Sequence, residues 1–212
     1  MNSCVAAQHS ALLLLVGHTS PLMGNFYKNV TIISASQAAI LSSLENHNRT
    51  AYVTPTRDGV TVVFDLQSDE IGDPVELGDI AITLSSDLAC VTMAAAVYDD
   101  DVLLLGLYDS GVQIGEYTTT GGSNLTARSI ARVLGLSSGR TILLAMLLGS
   151  PRFPLFVFET WRHHLILKVL GLPLWATATG YNYIHQGEPP PGLRPEELVH
   201  TDANQRNEPS SI

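Results

Sequence analysis

With 212 residues, 45% of them apolar and only 15% charged, the chain can bury a sizeable core without metals or disulfides and is not a disordered polymer. Its formal charge of -9 argues against nucleic acid or an anionic bilayer as a partner, because both reward clustered Lys and Arg, and the arginines look scattered along the sequence. The two cysteines, Cys4 and Cys90, do not support a disulfide; Cys90, inside Leu88-Ala89-Cys90-Val91, reads as a small core residue in a reducing compartment.

Residues 1–22 carry one apolar burst, Ala11 to Val16, with no Lys or Arg before it and Gly17, His18 and Pro21 directly after. A signal peptide wants a basic start and a longer apolar run. The stretch therefore reads as a disordered leader, or as an upstream start ahead of a true start at Met23. Phe26–Ile33 is rich in aromatic and β-branched residues and reads as a strand. Ser34 or Ser36 can cap a helix over Gln37–Leu44, where Ala38, Ile40, Leu41 and Leu44 recur at helical spacing. Thr50–Pro55 and Val60–Leu66 read as a hairpin turning at Arg57-Asp58-Gly59. Asp73-Pro74 supplies the cap and first position of a second helix, with Leu77, Ile80, Ala81, Leu84 and Leu88 along one face.

Cys90–Tyr98, Val102–Tyr108 and Val112–Tyr117 then form a meander, turning at Asp99-Asp100-Asp101 and Asp109-Ser110-Gly111. The order strand, helix, strand, strand, helix, strand is that of a ferredoxin-like split βαβ unit. The expected fold class is α+β: helices on one face of the sheet, the meander extending one edge, and a C-terminal helical segment. Ser123–Leu134 (capped by Ser123 or Asn124), Thr141–Leu148 and Leu155–Leu170 read as its helices, the last closed by Gly171 and Pro173. The run Thr141–Leu148, followed by Pro151, Arg152 and Pro154, is too short and too interrupted to span a bilayer, which needs about 20 apolar residues. Composition still leaves a peripheral membrane role open. Gly180–Ile184 reads as a short final strand, and the Pro-rich polar stretch 187–212 as a disordered tail. The domain division is thus one α+β domain over 23–186, with a sheet part over 23–120 and a mostly helical part over 121–186.

Met23-Gly24-Asn25-Phe26-Tyr27-Lys28-Asn29-Val30-Thr31 resembles the opening of an uncharacterised group of bacterial proteins, several of which start at the equivalent methionine. The hairpin from Tyr52 to Asp65, the run Tyr98-Asp99-Asp100-Asp101, and Gly171-Leu172-Pro173 with Gly180-Tyr181-Asn182-Tyr183-Ile184 fit the same pattern, so the resemblance covers Met23 to Glu188. It implies a cytoplasmic bacterial protein and implies no activity.

Three constellations could carry chemistry. Asp65 and Asp69 follow one strand, and Asp99 and Asp101 follow another; in the split βαβ order these strands flank the first and end on one edge of the sheet. Their oxygens would suit Ca²⁺ or Mg²⁺. Two strand spacings, about 9.6 Å, separate them, however, and solvated carboxylates are the ordinary occupants of turns. Gly121, Gly122 and Ser123 precede a helix carrying Arg128, an arrangement that could offer free N–H groups to an anion, though its spacing is neither a Walker loop nor a dinucleotide fingerprint. Glu159 and His163, four apart, could ligate a metal, although a surface carboxylate–imidazole pair is the plainer account. No Gly-x-Ser-x-Gly motif occurs. The reading that follows is a non-enzymatic domain that binds a protein or small ligand and needs no cofactor. Trp175, Tyr181 and Tyr183 suit partner contacts. The alternative is a metal-dependent hydrolase holding a divalent cation at the acidic edge.

Overall fold

The computed structural model describes residues 24–70, 74–149 and 158–203. The chain runs through β1 (Tyr27–Ile33), α1 (Gln37–Asn46), β2 (Ala51–Val53), β3 (Val60–Asp65), a one-turn helix α2 (Leu66–Glu70), α3 (Pro74–Asp87), β4 (Val91–Tyr98), β5 (Val102–Asp109) and β6 (Val112–Thr118). It continues with α4 (Ala127–Leu134), α5 (Ser138–Leu148), α6 (Glu159–Leu170), α7 (Tyr181–His185) and β7 (Val199–Thr201). The class is α+β. One seven-stranded sheet has the order β6-β5-β4-β1-β3-β2-β7, and every neighbouring pair is antiparallel.

Helices cover both faces of this sheet, not one as expected. Val30, Ile32, Val63, Ala94 and Ala96 pack under Ile40 and Leu44 of α1 and Leu77, Ile80 and Leu84 of α3. The alternate residues Tyr27, Val62, Phe64, Met93, Ala95, Leu105 and Leu107 pack against Ile130 of α4, Leu144 of α5 and Ile166, Leu167 and Leu170 of α6. The cause is visible in the strands. Met93–Val97 and Leu103–Leu107 are apolar at successive positions, and successive strand residues point to opposite faces. A sheet apolar on both sides must be covered on both sides.

Three local expectations are corrected. Ser123 and Asn124 do not start a helix. α4 begins at Ala127, where the Thr126 hydroxyl accepts from Ser129 N (3.1 Å) and the Ser129 hydroxyl accepts from Thr126 N (3.0 Å). Ser123 and Asn124 instead close the outer edge of β6. Glu116 N–H donates to Asn124 Oδ1 (2.6 Å), Glu116 O accepts from Asn124 N and Leu125 N (2.9 and 2.8 Å), and Thr118 N–H donates to Ser123 Oγ (2.8 Å). Gly180–Ile184 is not a strand: Tyr181–His185 is helical, with the Asn182 N–H of its first turn capped by the Asp69 carboxylate at 2.9 Å. The expected tail supplies β7, because Thr201 pairs with Ala51 and its hydroxyl accepts from Ala51 N (3.0 Å) while reaching Arg49 O (3.1 Å). The leader, Asp73 and the start of the helix expected from Leu155 lie outside the described residues. Among the described residues no helix is long and apolar enough to cross a membrane.

Asn124→Ala removes the acceptor that closes the β6 edge. The expected cost is about 1 kcal/mol, with faster hydrogen exchange at the Glu116 amide and unchanged exchange at Val30. Amide exchange followed by NMR checks this.

Candidate functional site

The groove that could take a ligand arises from small residues facing one helix. On the α3 side, β4 and β5 present Ala94, Leu104, Gly106 and Tyr108, while α3 presents Leu77, Gly78 and Ile82. Gln113, Glu116 and Thr118 of β6 and Asp79 of α3 complete the rim of a groove of about 430 Å³. The glycines make the space. A Cβ on Gly106 would stand 2.9 Å from the Tyr108 hydroxyl, and one on Gly78 3.1 Å from it. Burial pushes the Tyr108 phenol up to about 12, helped by the negative charge of Glu116 and Asp79. The hydroxyl therefore stays protonated and can donate. A narrower cleft of about 170 Å³ lies between α1 and α3 beside Ser43, His47 and Arg49. A broader depression of about 560 Å³ passes over Ser42, Asn46 and Asp87. The cleft between α1 and α3 has a smaller apolar floor (Leu44, Ile80 and Leu84), and the depression is lined mostly by polar side chains; the 430 Å³ groove has the most extended apolar floor of the three.

The acidic residues share a sheet end, as the strand order requires, but they do not form one site. β3 and β4 both run antiparallel to β1 and flank it, so Asp65 and Asp99 end beside the start of β1. Asp65 is buried, not solvated. Arg49 Nε donates to its Oδ1 (2.9 Å), Arg49 Nη2 pairs with its Oδ2, and Ser68 N and Oγ donate to Oδ2 (2.8 and 2.7 Å). The paired carboxylates of Asp65 and Glu76 hold the Arg49 guanidinium above its ordinary value against its own burial. Asp69 is also buried and caps α7; burial raises its carboxyl above the usual range, against the Asn182 N–H and the charge of Lys28. Asp100 accepts from Asn25 N and Nδ2 (3.1 and 3.0 Å) and from the Thr160 hydroxyl. Asp99 and Asp101 are exposed in the β4–β5 turn. Among the described residues no three His, Cys, Asp or Glu come together to hold a metal ion.

Local interactions place the remaining candidate residues. Gly121, Gly122 and Ser123 lie ahead of the α4 cap, not at it, and at that cap the Ser129 N–H donates to the Thr126 hydroxyl (3.1 Å); Arg128 is exposed on the helix beyond. Glu159 and His163 do not pair. Glu159 Oε2 meets Arg162 Nε at 2.9 Å, and His163 Nδ1 meets the Tyr27 hydroxyl at 2.9 Å with the two rings stacked. Complete burial, with a smaller push from His164, drops the His163 imidazole to about 3. Tyr181 packs on Tyr52 with ring centroids 4.9 Å apart and bonds His200 Nε2 (3.1 Å), so this aromatic serves the chain's own core.

The groove escaped the sequence reading. Its only signals were two glycines inside regular elements, Gly78 and Gly106, and isolated glycines there often mark close approach. Comparison with protein-family models, with curated proteins and with solved structures finds no match.

Arg49→Met leaves Asp65 buried without its guanidinium and should cost about 3 kcal/mol, read by urea unfolding. His163 sets a pH dependence of definite sign. Its folded value lies below its ordinary 6.5, so the unfolded chain binds the extra proton. Stability is lost as pH falls from about 6.5 towards 3, by about 1.4 kcal/mol per pH unit from this group. Asp69, raised, works in the opposite sense. The difference between the wild type and His163→Phe isolates the histidine: their stability curves should converge as pH falls below 6.5, followed by unfolding at stepped pH.

Proposed function

We propose that this chain is a non-enzymatic binding domain whose groove takes a small ligand with an apolar body and an amine. The observation that carries this reading is the chemistry of the rim. Ala94, Leu104, Gly106 and Ile82 make an apolar surface beside a neutral phenol donor, and Asp79 and Glu116 stand exposed at its margin. None of the described lining residues is Lys, Arg or His. The volume of about 430 Å³ fits a small molecule. The resemblance of the Met23–Thr31 opening supports a cytoplasmic bacterial protein, and the reduced, buried Cys90, its thiol pushed up to about 11 by burial, is in keeping with a reducing compartment. The run β4-β1-β3-β2, with helices after β1 and β3, supports a ferredoxin-like split βαβ unit as the scaffold. The metal-dependent hydrolase is the weaker reading, because Arg49 and Ser68 already occupy the oxygens of Asp65.

Titration of the labelled protein with octylamine and with octanoate tests the proposal. Octylamine should give saturable amide shifts at Leu104, Gly106 and Tyr108, and octanoate should not. Replacing both rim carboxylates (Asp79→Asn with Glu116→Gln) should weaken octylamine roughly tenfold, as about 0.7 kcal/mol per exposed charge implies. Equal binding of the two probes, or no saturable shift along the groove, overturns the reading.

A further inference from the structure

Exposed apolar side chains are concentrated on one layer of the molecule. Among the described residues nine large hydrophobics are exposed, and five of them (Ile142, Leu143, Met146, Phe158 and Trp161) lie on α5 and at the start of α6. Met146 is 63% exposed and Trp161 68%. α5 buries only Leu144 fully, so a helix that is apolar for most of its length turns much of that surface outward. Scattered single hydrophobics need no explanation; a cluster does.

The two helices run antiparallel. Arg162 Nη1 donates to Leu147 O (3.3 Å) near one end of the pair, and Arg140 Nη1 lies 3.4 Å from where a Cβ on Gly171 would stand at the other. Met146 and Trp161 therefore share one end, and Arg140 and Lys168 share the opposite end. Trp161 and Lys168, seven apart, lie on one face of α6.

Charge is segregated in the same way. Between Thr119 and Gly187 the exposed formal charges of the described residues are Arg128, Arg132, Arg140 and Lys168. The only carboxylate in that stretch, Glu159, is buried against Arg162. A chain of formal charge -9 thus carries exposed cations on its α4, α5 and α6 helices, with Asp99 and Asp101 of the β4–β5 turn as exposed carboxylates at the edge next to the start of α6, while Asp79, Asp87 and Glu116 are exposed in the elements of the other side.

From this juxtaposition we infer that the α4–α5–α6 layer docks on an anionic lipid bilayer. Interfacial binding needs aliphatic and aromatic side chains that enter the headgroup region and cations on the same layer that meet phosphate; here Met146 and Trp161 stand towards one end of the α5–α6 pair and Arg140 and Lys168 towards the other. The acidic layer orients the molecule, since a bilayer of negative charge repels it. A nucleic acid would reward the arginines but not exposed Ile142, Leu143 and Met146. A symmetric dimer through the same face would set its cations against one another. Net charge alone points away from an anionic membrane; its distribution over the fold points towards one.

Sedimentation of the full chain with vesicles tests this, with tryptophan emission as a second readout. Vesicles of phosphatidylcholine containing roughly 30% phosphatidylglycerol should pellet the protein and shift its emission to the blue. Pure phosphatidylcholine, or about 0.5 M salt, should weaken binding at least tenfold. Trp161→Ala with Met146→Ser, and separately Arg128→Glu with Arg132→Glu, should each weaken binding at least tenfold at unchanged Tm. Val112→Ser, exposed on the β5–β6 hairpin, should change nothing. The inference is overturned if phosphatidylglycerol does not promote pelleting, if either double variant binds like the wild type, or if the face instead drives vesicle-independent dimerisation or capture of single-stranded DNA.

Discussion

The constraint on which this structure depends is the burial of β1 on both faces. Lys28, Asn29 and Thr31 lie along it with essentially no exposure, and a polar atom there costs several kcal/mol unless it finds a partner inside the protein, which Asn29 Oδ1 lacks among the described residues. Lys28 Nζ donates to Ser68 O (2.7 Å) and lies over the rings of Phe26 and Tyr98. Asn29 Nδ2 donates to Ala176 O (2.7 Å). These bonds fix where α2 and the segment before α7 must lie. The start of α6 is fastened to the same end of the sheet, through Glu159 N–H donating to Asp100 O (2.8 Å). The C-terminal helices are thus part of the fold of the central strand, not an appendage to a completed domain.

Two-sided burial also gives the molecule two unlike surfaces. Between α3 and the strands β4, β5 and β6 the layer of α1 and α3 leaves a groove rimmed by Asp79 and Glu116. The layer of α4, α5 and α6 covers the opposite face and carries the exposed cations and hydrophobics. The sheet keeps these chemistries apart, so a ligand in the groove and a membrane at the other layer would not compete for side chains.

Regular elements were legible from sequence where periodicity was strong. β1, α1, the β2–β3 hairpin, α3 and the meander stand within a few residues of their expected places, because β-branched runs, Ser36 and Pro74 are local signals. What failed was what depends on distant partners. Asp69 reads as a turn carboxylate until α7, more than a hundred residues away, turns its N-terminus towards it. Tyr181-Asn182-Tyr183-Ile184 has strand composition, but that carboxylate stabilises a helical turn there. Val199–Thr201 lies in a polar, Pro-rich context and becomes a strand only because β2 offers an open edge. His163 lies four residues from Glu159, yet burial and Tyr27 decide its chemistry. Arg128, Arg132 and Arg140 look scattered in one dimension and lie on helices of one layer in the fold. Apolar residues at successive positions in β4 and β5 did announce two-sided burial, and the single-face expectation gave that signal too little weight.

Native-state hydrogen exchange at β1 measures the interdependence of the two halves most directly. If the C-terminal layer is needed to bury the central strand, the amides of Val30 and Ile32 exchange only when the whole molecule opens. Their opening free energy then equals the unfolding free energy from denaturant titration, and Ile166→Ala lowers both by the same amount, about 2–5 kcal/mol. Exchange of these amides through a cheaper partial opening, insensitive to Ile166→Ala, would show a sheet that stands without its second layer and would contradict the account.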